Sequence, residues 1–187
     1  IVFEKAALFR SIKTGICFVN NTDKHIVDMP ITSEKITFGL TPDCDYSADI
    51  YHENDGTLTI VLNTDVIPTK SYNFSFLKNC IAVITIAKVL DIELTTIINQ
   101  IQSFKTPPGR CQVKQIEDVT VIDDTYNANL TSTLAALEYL NAFSGNGKKI
   151  FVFGDMRELG SSSNEQHKKI GEKCSELDLN IVYTIGK

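Results

Sequence analysis

No run of lysine or arginine stands out along these 187 residues, and the formal net charge is -5. Nucleic acid and anionic membranes are therefore poor default partners. An acidic chain can still hold phosphates through local backbone amides and single arginines. No two of the five cysteines (Cys17, Cys44, Cys80, Cys111 and Cys174) stand as CxxC, and their number is odd. That argues against a zinc site and against a disulfide framework. Scattered thiols suit a reducing cytoplasm, as small buried hydrophobes. No secretory signal is present. The longest apolar stretch, Cys80 to Leu90, is broken by Thr85 and Lys88 and is too short to span a bilayer. Repeats and low-complexity tracts are missing too. No GxxxxGK[ST] phosphate loop occurs: Gly145-Asn146-Gly147-Lys148-Lys149 looks similar but precedes a strand-like run, whereas such a loop follows a strand and opens a helix. The chain opens at Ile1 without a methionine and stops just after Ile181–Ile185, so both ends read as cut from something longer.

What is present suits a folded protein. Hydrophobic residues make up 43% and charged residues 22%, which argues against disorder. At roughly 100–200 residues per domain, one large or two small domains fit. Residues 3–12 read as the end of a helix, broken at Gly15, and Ile16–Asn20 as a short strand. Lys35–Gly39 and Thr57–Leu62 are further strands, the latter alternating Leu58, Ile60 and Leu62. Residues 77–90 and 92–103 read as helices; the second carries Leu94, Ile97, Ile98 and Ile101 at i, i+3, i+4 and i+7.

Thr106-Pro107-Pro108-Gly109-Arg110 then forbids helix and marks a domain boundary. Beyond it the pattern changes. Val119–Asp123, Lys149–Phe153 and Ile181–Ile185 read as strands. Thr131–Asn141 and Asn164–Leu177 read as helices, the latter with a capping box from Ser163 and Gln166. This βαβαβ order predicts a parallel sheet covered by helices, an α/β domain.

Ligands of open parallel sheets bind outside the carboxyl ends of the strands. Two strands here end in polar loops: Asp123-Asp124-Thr125-Tyr126-Asn127-Ala128-Asn129 and Gly154-Asp155-Met156-Arg157-Glu158-Leu159-Gly160. Both fall on one edge of the sheet. Aspartate and asparagine there are also ordinary turn formers and helix caps. Either loop alone is explained that way; two on one edge raise the reading of a polar ligand site.

Those same residues carry a family resemblance. Asp123-Asp124-Thr125-Tyr126-Asn127-Ala128-Asn129 resembles the DDxYNANP signature of the D-alanyl-D-alanine-adding Mur ligases. Gly154–Gly160 with His167 is similar to that family's GDMxELG…H segment, and Pro108-Gly109-Arg110 to its hinge PGR. In the first half, Glu4–Phe9 resembles the AKxxIF helix, and Gly15–Asn20 with Thr22-Asp23 the strand and turn that follow. Thr37-Phe38-Gly39 and Asn79–Val83 resemble the tFG and NalAA segments. The resemblance implies a cytoplasmic enzyme of peptidoglycan synthesis. ATP, with Mg2+, phosphorylates the carboxylate of UDP-MurNAc-tripeptide. The amine of D-Ala-D-Ala then attacks the acyl phosphate, giving an amide, ADP and phosphate. Such catalysis rests on positioning and charge neutralisation.

Residue by residue, Lys5 matches a lysine that becomes carbamylated and helps hold magnesium; a carbamate is an anionic oxygen ligand suited to a hard cation. Arg110 matches the hinge arginine that reaches ATP, offering a permanent charge and several donors. Asp124 matches the acidic residue near the nucleotide ribose. Asn127 and Asn129 would shape that loop or touch the nucleotide, and Asn129 equally suits a helix cap. Tyr126 would stack on a ring or pack. Asn79 matches an asparagine near the nucleotide. Asp155 and Glu158 would face the incoming dipeptide or order their loop. His167 shares an apolar stripe with Ile170, Cys174 and Leu177, which fits a satisfied, partly buried imidazole better than a base. The bland alternatives for Lys5, Arg110 and Asn79 are a surface lysine, a solvated linker residue and a helix residue facing a loop.

The sequence also departs from the family. Leu130 stands where the signature has proline, and Ser75 and Phe76 replace the HN ahead of the NalAA helix, with Asn73 as a shifted substitute. The phosphate loop, the UDP-binding domain and the upstream metal ligands are missing. Residues 1–106 are therefore expected to be the trailing part of the central ATPase domain, and 107–187 most of a Rossmann-like C-terminal domain. The fragment alone is expected to be inactive, with residues 1–106 self-associating or partly disordered, whereas the full-length protein would be a monomer. The rival readings are another amino-acid-adding or folylpolyglutamate synthase-type ligase, and a non-catalytic remnant that binds a nucleotide or a partner.

Overall fold

The computed structural model describes residues 2–143 and 147–186, with side chains from Ala6 onward. The expected turn at Gly145-Asn146 lies outside the described residues. The chain divides after Phe104 into two compact units. Among the described residues no helix is long and apolar enough to cross a membrane.

The first unit opens with helix α1 (Val2–Ser11), strand β1 (Ile16–Asn20) and a short helix α2 (Lys24–Val27). Strands β2 (Glu34–Gly39), β3 (Tyr46–His52), β4 (Leu58–Leu62) and β5 (Asp65–Ser71) follow, then helices α3 (Phe74–Val89) and α4 (Leu94–Ser103). The five strands form one sheet in sequence order. The β1–β2 and β2–β3 pairs are parallel; β3–β4 and β4–β5 are antiparallel. Alternation sets the core: Leu58, Ile60 and Leu62 of β4 are all buried and join Leu77, Ile81 and Ile84 of α3 and Ile97 and Ile101 of α4. Fully burying one such side chain is worth about 1.5–3 kcal/mol, so this layer holds the unit together. Asn73 starts α3 by accepting the Phe76 N–H on its side chain at 3.1 Å. Lys88, near the end of α3, pairs with Asp65 at 2.7 Å.

The second unit contains strands β6 (Gln112–Ile116) and β7 (Val119–Asp123), helix α5 (Leu130–Ala142), strand β8 (Ile150–Gly154), helix α6 (Ser163–Glu176) and strand β9 (Ile181–Ile185). The class is α/β, as expected, and β8 and β9 form a parallel ladder. Strand β7 is hydrogen-bonded instead to β6, an antiparallel neighbour that the expected βαβαβ order does not include. The tight turn between them has Glu117 at φ 51. Leu137, Met156 and Ile170 form the core of this unit, flanked by Ala128, Leu130, Phe151 and Phe153.

The capping box expected at Ser163 and Gln166 does not form. Helix α6 continues from a 3-10 turn at Gly160–Ser162, so its N-cap, Ser162, already has helical backbone angles (φ -83, ψ -1) and caps nothing. Gln166 Nε2 donates to Ser162 Oγ at 2.8 Å instead. A reciprocal box starts α5: the Ser132 N–H donates to Asn129 Oδ1 at 3.0 Å, and the Asn129 N–H to Ser132 Oγ at 3.1 Å.

Candidate functional site

The PGR segment and the loop after β7 form one cluster. Pro107 to Arg110 makes a tight turn closed by the Arg110 N–H donating to Pro107 O at 3.2 Å. Gly109 sits third in that turn at φ +73, a value glycine adopts without strain. Its carbonyl accepts the Tyr126 N–H at 3.0 Å. A Cβ on Gly109 would lie 3.0 Å from Tyr126 N, so the two backbones touch. One residue beyond Arg110, the Cys111 N–H donates to Asp124 Oδ1 at 3.0 Å. The Arg110 guanidinium then lies over the Tyr126 ring, 3.9 Å from its centroid.

Asp123 anchors the same loop. Its Oδ1 accepts from Thr125 Oγ1 at 2.7 Å, and its Oδ2 from Lys114 Nζ at 2.5 Å. Lys114 first, and then Thr125, hold this carboxyl down at about 2. A group so engaged is a structural anchor rather than a ligand contact. Asp124, half-buried, accepts the Cys111 N–H on Oδ1. Tyr126, Asn127 and Asn129 are exposed, with Asn129 occupied as the α5 cap.

The loop after β8 packs on the start of α5: Met156 is buried against Leu137, and Thr133 Oγ1 reaches its Sδ at 4.0 Å. His167 holds that loop from α6. Its Nε2 accepts the Met156 N–H at 3.1 Å, which leaves the ring proton on Nδ1, 2.8 Å from Ser163 O. Both nitrogens are used, as a structural imidazole requires. Asp155 follows the end of β8, its N–H donating to Ile185 O at 3.2 Å. A Cβ on Gly186 (φ +151) would run into the Asp155 carboxylate. Glu158 is exposed at φ 62. A cavity of about 740 Å³ opens between the β8–β9 ladder and α6, with Asp155, Met156 and His167 on its wall.

Asn79 lies exposed on α3 in the first unit. Lys5 lies in α1, but its side chain is outside the described residues. Among the described residues no group of three or more His, Cys, Asp or Glu side chains could hold a metal ion. The backbone ties from Gly109 and Cys111 were not foreseen from sequence. Their only sequence signal was the glycine between proline and arginine.

Residues 109–187 match the family model described as Mur ligase, glutamate ligase domain. The UDP-N-acetylmuramoyl-tripeptide--D-alanyl-D-alanine ligase of Haemophilus influenzae is 28% identical over 194 residues, covering 100% of this chain and 42% of that protein. A crystal structure of MurF from Acinetobacter baumannii superposes on 98% of the chain with TM-score 0.84 and 26% identity. Residues 109–187 belong to the Mur ligase family. MurF ligase from Thermotoga maritima in complex with ADP has TM-score 0.79 and 27% identity over 95% of this chain. The chain spans about two fifths of the length of the relatives it matches, 41–42% of each. Both halves follow the Mur ligase fold, since these superpositions cover nearly the whole chain.

Proposed function

We propose that this chain is part of an ATP-dependent ligase that joins D-Ala-D-Ala to UDP-MurNAc-tripeptide in peptidoglycan synthesis, working in the cytoplasm through an acyl phosphate. Residues 1–106 would be the trailing part of the central ATPase domain, and 107–187 the C-terminal domain. The observation that carries the reading is the cluster of Arg110, Asp124 and Tyr126 at the end of β7, in a chain similar to MurF over its whole length.

The residues fit a nucleotide. Among the described residues no carboxylate pairs with Arg110, so its charge is available to phosphate oxygens. The second oxygen of Asp124 suits a ribose hydroxyl. Asn127 and Asn129 belong to the same loop. Asp155 and Glu158 are suited to the ammonium of the incoming dipeptide. ATP, when bound, supplies the phosphoryl group that activates the substrate carboxylate; Arg110 neutralises charge and orients. Magnesium would be held by a carbamylated Lys5 with ligands from outside this chain. The chain alone is expected to be inactive.

Calorimetry with ATP and magnesium tests this. The expected result is weak binding by the chain and none by an Arg110→Ala, Asp124→Ala double variant. Binding unchanged in the variant counts against these two residues. Incorporation of D-Ala-D-Ala by a longer polypeptide that includes this chain tests the acceptor; transfer of a single amino acid in its place would point to another ligase of the family.

A further inference from the structure

We infer that Tyr126 is a positioning residue: its ring face holds the Arg110 guanidinium at the sheet edge, ordered and still fully charged for an anionic oxygen. This rests on the nucleotide reading above and adds a residue that acts through Arg110.

An exposed arginine samples many rotamers, and ordering it on binding costs affinity. Here the guanidinium lies 3.9 Å from the ring centroid, well within the roughly 6 Å reach of a cation–π contact. The ring is fixed in turn. The Tyr126 N–H is tied to Gly109 O, one residue before the arginine. Asp124, two residues before the tyrosine, accepts the N–H of Cys111, one residue after the arginine. Arg110 is thus fastened on both sides to the loop that carries the ring. Gly109 permits this approach, because a Cβ there would come within 3.2 Å of Tyr126 Cβ.

The chemistry of the holder matters. A carboxylate would order the guanidinium by neutralising it. An aromatic face orders it and leaves the N–H edge and the charge for a ligand. That gives a reason for Tyr126 to stand 68% exposed.

The test is an ADP titration of the isotopically labelled chain, followed by NMR at the Arg110 Nε–Hε group, in three forms: unmodified, Tyr126→Phe and Tyr126→Leu. The unmodified and Phe forms should share a ring-shifted Arg110 resonance and bind ADP alike. The Leu form should lose the shift and bind roughly two- to five-fold more weakly. Equal binding by the Leu form overturns the positioning role alone. A Phe form as weak as Leu also overturns it, because the hydroxyl would then matter and the ring face would not. No ADP response in the unmodified chain overturns the nucleotide reading and this inference with it. Should the Leu form not fold, Arg110→Lys keeps the charge and loses the planar stack; unchanged ADP affinity there overturns the inference.

Discussion

The Nε2 atom of His167 accepts the backbone N–H of Met156 at 3.1 Å, joining the loop after β8 to the first turn of α6. With Nδ1 facing Ser163 O, the imidazole is a clamp between two elements. His167→Ala should leave the Met156 N–H without its partner and cost about 1–3 kcal/mol. Urea unfolding measures it. A shift of the midpoint too small to resolve would mean that water replaces the ring.

Asp155 and Gly186 make a second close pair, since the Asp155 carboxylate fills the space where a side chain at 186 would begin. Gly186→Ala should therefore be destabilising by more than the roughly 1 kcal/mol of a simple glycine exchange. In an Asp155→Ala background the cost should shrink, since the clash is gone. A double-mutant cycle on thermal unfolding checks this; strict additivity would contradict the geometry.

Acid should loosen the β6–β7 hairpin. Asp123 has its carboxyl lowered from 3.8 to about 2, by Lys114 first and then Thr125. A carboxyl with a depressed folded-state value stabilises above its unfolded value, and that contribution is lost as pH falls through the folded one. The window runs from about pH 4 down to about pH 2. Asp123→Asn should be less stable than the natural chain at pH 6, with the gap closing towards pH 2. Denaturant midpoints across that range measure it, and a constant gap would exclude the carboxylate as the cause.

Thiol chemistry reports on the first unit. Burial pushes the Cys80 thiol up to about 11, so almost no thiolate is present near pH 8. Iodoacetamide should modify the half-buried Cys111 and Cys44 well before Cys80, with the order lost in urea. Peptide mass spectrometry reads the rates. Early labelling of Cys80 would mean that α3 opens readily.

Much of the fold was legible because burial follows simple periods. Ile97 and Ile101 mark α4, and Leu58, Ile60 and Leu62 mark β4. Strand β5 escaped notice because Pro68 sits inside it, tolerated on the sheet's outermost strand where one N–H is not needed. Strand β3 is polar, with Ala48 its only fully buried residue, and β6 has no buried residue at all. In the site, Arg110, Asp124 and Tyr126 were named from their motifs. The bonds that draw them together run through the backbone of Gly109, Cys111 and Tyr126, and peptide groups leave no letter in a sequence.

The start of α5 bears on how such chains are found. Proline in the family signature presets a helix start, and here Leu130 takes that place while Asn129 and Ser132 cap each other. Leu130 also packs against the buried cluster of Leu137, Met156 and Ile170, which proline's shorter ring would do less fully. The two solutions are interchangeable ways of beginning one helix. A search string that insists on proline after the second asparagine therefore screens for a residue when the requirement is a backbone conformation, and it would pass over chains built like this one.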